Sequence, residues 1–251
     1  MKTAIVTGTS GGIGRSLAMK LASEYKVILV ARSREKLKRV QTDIEESGGQ
    51  AEIIVADLTS NECRQKLYRQ AKGKQIDLLI NNAGVGGQAR FTEQDKAKIQ
   101  TIIDLNITAL TEICRHFAPN MKSGQAVINI ASAVSFFPAP SVAVYAASKA
   151  YVLSFSEALC EELKSNGVHV MALCPGLTKT GFDSAADMQR SAVYSMRNLP
   201  GPDEVADYAL NALARKKVVA IHGTTNKIGI FFLRFIPSSL TRSIAKRMMT
   251  R

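Results

Sequence analysis

Seven short apolar runs alternate with helical patterns along this chain, and that alternation limits the fold more than any other feature. The runs lie at 4–6, 27–30, 53–55, 78–80, 126–130, 168–173 and 218–221, and they are largely apolar at successive positions. Strands without polar alternation are buried on both faces, as in a parallel sheet covered by helices. Between them the apolar spacing is helical at 13–23, 34–46, 61–71, 92–121, 144–164 and 203–214. Parallel neighbours need long crossovers, so the pattern predicts an α/β fold of Rossmann type. Specifically, it predicts a doubly wound, parallel, seven-stranded sheet with helices on both faces. No linker interrupts the 251 residues, which read as a single domain, 1–251. Ligands of such sheets bind at the carboxyl ends of the strands.

Bulk properties mainly exclude. Apolar residues make up 46% and charged residues 22%, a globular rather than a disordered balance. No run of eighteen apolar residues occurs, and Met1-Lys2-Thr3-Ala4-Ile5-Val6 lacks the marks of a signal peptide, which points to a cytoplasmic chain. Cys63, Cys114, Cys160 and Cys174 are scattered without a CxxC pair, so no zinc site is expected and the thiols read as reduced. The net charge is +12, and residues 208–251 hold nine Lys/Arg and no acid. Such a segment suits anionic lipid, a phosphorylated cofactor or nucleic acid. No nucleic-acid recognition motif accompanies it, so no nucleic-acid partner is expected.

The first strand runs into Thr7-Gly8-Thr9-Ser10-Gly11-Gly12-Ile13-Gly14, and a helix follows. Glycines here let the backbone turn tightly and approach a pyrophosphate, while the helix N-terminus offers free N–H groups. The loop reads TGxxxGIG and resembles that of the short-chain dehydrogenase/reductase family. Further matches follow in order: Asp57-Leu58, Asn81-Asn82-Ala83-Gly84, Asn106, Ser132, Tyr145-xxx-Lys149 and Pro175-Gly176.

The resemblance implies a nicotinamide-dependent oxidoreductase that interconverts a carbonyl and a secondary alcohol. Gly8, Ser10, Gly12, Ile13 and Gly14 would then cradle the pyrophosphate. The second strand ends Ala31-Arg32-Ser33 where NAD-binding members place an acid. A guanidinium there can clamp a 2′-phosphate, so Arg32, helped by Ser10 and Ser33, favours NADP(H), with NAD(H) as the alternative. Arg32 read blandly is a solvated residue opening a helix. The resemblance assigns Asp57, with Leu58 beside it, to the adenine end; the plainer reading of Asp57 is a cap for the helix after Thr59, and the two are compatible. It lets the ribose lie close to the backbone at Asn81, Ala83 and Gly84, and places Pro175, Gly176, Thr178 and Thr180 around the carboxamide.

Tyr145 and Lys149 stand four apart on a predicted helix and so share a face. A phenol with a pKa of about 10 is a poor acid–base group at neutral pH, and an adjacent ammonium stabilises its anion. By resemblance, Tyr145 exchanges the proton of the carbonyl oxygen, Ser132 hydrogen-bonds that oxygen, and Lys149 also holds the ribose. Asn106 would hold a water that links Lys149 to solvent, or else bond to nearby backbone. His116, His169 and His222 match no role, and no metal is expected.

Residues 177–201 take the place of a substrate lid, and the apolar residues there, with Phe136 and Phe137, suit a lipid-, steroid- or acyl-like substrate. Residues 228–251 are apolar and basic but broken by Arg234 and Pro237; they read as an interfacial anchor, or as a cover for the pocket or a subunit neighbour. The resemblance implies a homodimer or homotetramer built on the helices at 92–121 and 144–164. A cofactor-binding sensor or scaffold with little turnover is the rival function, and the intact Ser132, Tyr145, Lys149 and Asn106 set weighs against it.

Overall fold

Strand β1 (Lys2–Thr7) lies inside one seven-stranded sheet, paired with β2 (Tyr25–Ala31) on one side and β4 (Leu78–Asn81) on the other. The computed structural model describes residues 1–180, 199–233 and 235–249. The remaining strands are β3 (Gln50–Val55), β5 (Ala126–Ile130), β6 (His169–Cys174) and β7 (Val219–Ile221). Their order is β3-β2-β1-β4-β5-β6-β7 and every pairing is parallel. The winding direction reverses between β1 and β4, which opens a crevice at their carboxyl ends.

The strands lack polar alternation because both faces are covered. Ile5, Ile28, Leu79 and Val127 pack on one side with Leu67 of α3 (Asn61–Ala71) and Ile113 and Val152 of helices described below. Their neighbours Val6, Leu29, Ile80 and Ile128 pack on the other side with Leu17 of α1 (Gly12–Leu21) and Leu37 of α2 (Arg34–Glu46). Helix α7 (Pro202–Ala214) joins that second layer through Val205 and Ala209, and Pro202 stands in its first turn where a missing N–H costs nothing.

The helix expected at 92–121 is five shorter elements, the last a 3-10 turn at Ala118–Asn120. Residues Phe91–Glu93 form a 3-10 turn, and α4 (Lys96–Ile103) starts only after Asp95, whose carboxylate accepts from Ala97 N at 3.2 Å. A π-helical segment, Asp104–Ala109, joins α4 to α5 (Leu110–Phe117). Such wide turns insert a residue and re-aim a side chain, here Asn106, which is buried. Helix α6 (Ala143–Leu163) matches its expected span within a residue.

The segment from 228 onward contains helical structure that its broken apolar pattern hid. Helix α8 (Thr224–Leu233) and helix α9 (Ser238–Met249) flank Pro237, whose ring ends one run while its carbonyl accepts from Leu240 N and Thr241 N. Most of the expected lid, 181–198 of 177–201, lies outside the described residues.

Candidate active site

The glycine loop is folded so tightly that side chains would destroy it. Gly8 has φ +72°, and a Cβ there would fall 2.7 Å from Asn82 Nδ2 and 2.9 Å from Ala83 Cα. A Cβ on Gly14 would sit 2.5 Å from the Gly8 carbonyl oxygen. The loop is also stitched to the end of β4. Thr7 Oγ1 accepts from Asn82 N (2.9 Å) and Ala83 N (3.0 Å), and Asn82 Nδ2 donates to the carbonyls of Thr7 (2.8 Å) and Gly8 (3.2 Å). Helix α1 starts at Gly12 with no side-chain cap on its first N–H groups, while Ser10 and Gly11 are exposed. Bare backbone and uncapped donors suit a pyrophosphate.

Beyond this cradle, Arg32 stands exposed just after β2 and makes no hydrogen bond or ion pair among the described residues. Ser33 is the N-cap of α2, its Oγ accepting from Lys36 N at 3.3 Å. The carboxylate of Asp57 closes a turn, with Oδ1 accepting from Thr59 N (3.1 Å) and Thr59 Oγ1 (2.8 Å). Its other oxygen makes no hydrogen bond among the described residues, so the turn and an adenine contact are compatible. Ser60, not Asp57, caps α3. Leu58 is buried, and its carbonyl is held by Arg64 Nη1 at 2.8 Å.

The side chain of Asn81 turns inward. Nδ2 donates to Asn129 Oδ1 (2.9 Å) and Cys114 Sγ (3.2 Å) in the interior, away from the crevice, which leaves only its backbone near a ribose. Successive residues of a strand point to opposite faces, and the loop-bracing partner is Asn82.

Lys149 is buried, and Nζ donates to the carbonyl of Ile130, the last residue of β5, at 2.7 Å. Burial brings its pKa down to about 8. Burial also lifts the Cys174 thiol to about 12, so it stays neutral. Ser132 follows β5 and opens the turn Ala133–Phe136, its Oγ accepting from Val134 N at 3.3 Å. Ser135 pins this turn to α6: its Oγ accepts from Ser132 N (3.2 Å) and donates to Lys149 O (2.9 Å). Tyr145 lies one helical turn before Lys149 and packs with Val134, Ala139 and Val142. Ser132, Tyr145 and Lys149 are thereby gathered at the carboxyl end of β5.

Asn106 comes to the same place from the π-helical segment. Its Oδ1 accepts from Val85 N (2.9 Å), and Nδ2 donates to Val85 O (2.9 Å) and Ser148 Oγ (2.9 Å). Both amide hydrogens are thus committed, one to the Val85 carbonyl and one to the Ser148 hydroxyl. Gly84 lies against the pair, since a Cβ there would be 3.2 Å from Asn106 Oδ1 and 3.3 Å from Lys149 Nζ.

The strip after β6 closes the crevice. Pro175 accepts from Ala133 N at 2.8 Å, Thr178 Oγ1 donates to Gly176 O at 3.1 Å, and Thr180 reaches Gly12, where a Cβ would lie 3.3 Å from its side chain. Gly176 leaves no room for a side chain, because Asn226 of α8 packs there with Cγ 3.1 Å from the Cβ position. Thr7, Asn82, Ser135 and Asn226 are supporting residues to which sequence reasoning gave no role; Thr7 and Asn82, each inside a quoted motif, carried a signal, and Ser135 and Asn226 carried none.

The histidines stand apart from this cluster. His116 stacks on Tyr68, His169 Nε2 lies 3.0 Å from Lys217 O, and His222 lies 3.4 Å from Glu204. Among the described residues no group of three or more His, Cys, Asp or Glu could hold a metal.

A family model described as short chain dehydrogenase matches residues 2–191. The chain belongs to the short-chain dehydrogenase/reductase family. An uncharacterized oxidoreductase of Staphylococcus saprophyticus is 33% identical over 230 residues, covering 89% of this chain and 96% of its own length. The 17-beta-hydroxysteroid dehydrogenase type 3 of Homo sapiens is 34% identical over 185 residues, or 71% of this chain, and the match spans 60% of that enzyme. Among solved structures, a short-chain dehydrogenase from Sphingobium yanoikuyae in complex with NADPH superposes with TM-score 0.84 at 31% identity, covering 94% of each chain.

Proposed function

We propose that this member of the family is an NADP(H)-dependent oxidoreductase that interconverts a carbonyl and a secondary alcohol on a hydrophobic substrate. The observation that carries the reading is the buried Lys149 ammonium, held between the end of β5 and Gly84, one turn from Tyr145. Bound in the crevice, NADP(H) would supply or accept the hydride. Gly8, Gly12, Ile13 and Gly14 would take its pyrophosphate on backbone N–H groups, and Arg32 would pair with its 2′-phosphate.

In the reductive direction Tyr145 gives its phenolic proton to the substrate oxygen as that oxygen gains charge. Ser132 donates to the same oxygen, and the positive charge of Lys149 stabilises the phenolate left behind. Substrate hydrophobicity is supported by Phe137 and Val134 beside Tyr145, by the steroid named for the human relative, and by the apolar residues of the expected lid. A homo-oligomer is supported by α6, where Ala147, Tyr151, Ser154 and Ala158 form an exposed stripe of mostly small residues at helical spacing.

The test is NADPH consumption across steroid, fatty-acyl, quinone and small-aldehyde carbonyls, with Tyr145→Phe as the blank. Turnover on at least one class that falls about 100-fold or more in the variant is the expected result. Undiminished turnover in Tyr145→Phe removes the proton-transfer role. NADPH binding without any turnover favours a sensor.

A further inference from the structure

Six large apolar side chains stand out from α8, α9 and the link between them: Ile228, Phe231, Phe232, Phe235, Leu240 and Ile244, each between 42% and 71% exposed. Three of the rings touch one another, with Phe231 5.6 Å from Phe232 and 5.5 Å from Phe235. They form a continuous aromatic patch rather than isolated exposures. The opposite faces hold the pair to the body: Ile230, Thr241 and Ala245 are buried, and Asn226 is packed on Gly176. Helix α8 also packs against the turn that follows Ser132, so the patch flanks the active-site crevice.

Charge decides what can cover such a patch. Residues 208–251 contain nine Lys/Arg and no Asp or Glu, and six of those cations fall between 227 and 251. A second copy docked through the same face would bring two uniformly positive segments together. An anionic lipid surface would take the cations at its headgroups and the rings at the acyl boundary. No helix among the described residues is long and apolar enough to cross a bilayer, and α8 and α9 have only 10 and 12 residues, so contact is in the plane of the surface.

We infer that the α8–α9 pair docks this protein on anionic membrane surfaces, with the Ser132 side of the crevice turned toward the lipid. The contact is separate from the oxidoreductase reading, because binding is measured without turnover.

The experiment is sedimentation of the full chain with vesicles of phosphatidylcholine alone and of phosphatidylcholine mixed with phosphatidylserine. Binding to the anionic vesicles should exceed that to the neutral ones by at least about tenfold at low salt, and salt should narrow the gap. Phe231→Ser/Phe232→Ser/Phe235→Ser should lose at least about tenfold in binding to anionic vesicles with an unchanged unfolding temperature. Should the triple variant fold poorly, Phe235→Ser alone, the most exposed of the three rings, should weaken binding by about fivefold. A protein that stays in the supernatant with anionic vesicles at low salt overturns the inference. So does a well-folded Phe235→Ser or triple variant that sediments like the parent. Self-association abolished by the triple substitution, without vesicle binding, would make the patch a subunit interface instead.

Discussion

The Nζ of Lys149 donates to the carbonyl of Ile130 at 2.7 Å, so the ammonium one turn from Tyr145 is fastened to the last residue of β5. The position is electrostatically expensive. Burial brings the pKa from 10.5 down to about 8, which means that the folded chain releases this proton before the unfolded chain does. Between those values the unfolded state binds more protons, so the residue's contribution to stability rises with pH from about 8 to about 10.5. Below about pH 8 the charged side chain costs its full penalty, on the order of 3 kcal/mol. Lys149→Met should therefore unfold in more urea than the parent at pH 7, less about 1 kcal/mol for the lost hydrogen bond. That advantage should shrink as pH approaches 10. A stability difference that does not vary with pH would show that burial sets no such penalty. Turnover should fall in the variant at every pH.

Arg32 is the exposed guanidinium at the end of β2, without a partner among the described residues, and Ser33 beside it caps α2. Charged hydrogen bonds to a phosphate contribute about 1.5–3 kcal/mol, so Arg32→Asp should raise KM for NADPH by roughly 10- to 100-fold. NADH, without the 2′-phosphate, should be affected little or used better. Equal losses with both cofactors in steady-state kinetics would place the phosphate elsewhere.

Gly8 and Gly11 belong to one loop but differ in what they tolerate. A methyl group on Gly8 meets Asn82 Nδ2 and Ala83 Cα below 3 Å on a backbone at φ +72°, whereas nothing lies within 4 Å of one on Gly11. Gly8→Ala should cost about 1–3 kcal/mol of stability and displace the loop from β4. Gly11, at φ 171°, is extended backbone that any residue adopts, and Gly11→Ala should leave the unfolding temperature unchanged or slightly higher. Equal unfolding temperatures for the two variants would contradict the close approach to Asn82.

What the sequence revealed and what it hid separate along a physical line. Strands β1 to β7 and their parallel pairing were legible, because burial on both faces leaves marks in the local pattern, whereas Ser132, Tyr145 and Lys149 were singled out by the family resemblance. The start of α4 was misplaced because helical spacing runs back through Thr92, while the stop signal is one capping carboxylate on Asp95. The division of labour between Asn81 and Asn82 depends on which face each meets, and both faces are occupied. Ser135 and Asn226 act through partners 14 and 50 residues away in the chain, Lys149 and Gly176, and nothing in the local sequence records that. The helices of α8 and α9 were hidden by Arg234 and Pro237, which break the apolar run without preventing two shorter helices.

The π-helical segment at Asp104–Ala109 carries Asn106, whose side chain links the Val85 backbone to Ser148 of α6. Both main-chain groups of Val85 are paired with it, and its remaining amide hydrogen goes to Ser148, which in turn donates to the carbonyl of Tyr145 at 2.7 Å. Asn106→Ala removes all three bonds from a position that is 1% exposed, leaving the Val85 N–H and C=O without partners. Each unpaired buried group costs about 1–3 kcal/mol, so a loss of about 2–4 kcal/mol in urea unfolding is expected. Activity should fall further than stability under conditions where the variant remains folded, because Gly84, packed against both Asn106 and Lys149, loses its support. A loss below about 1 kcal/mol would mean that water replaces the amide at little cost, and that the wide turn is held by the packing of α4 and α5 alone.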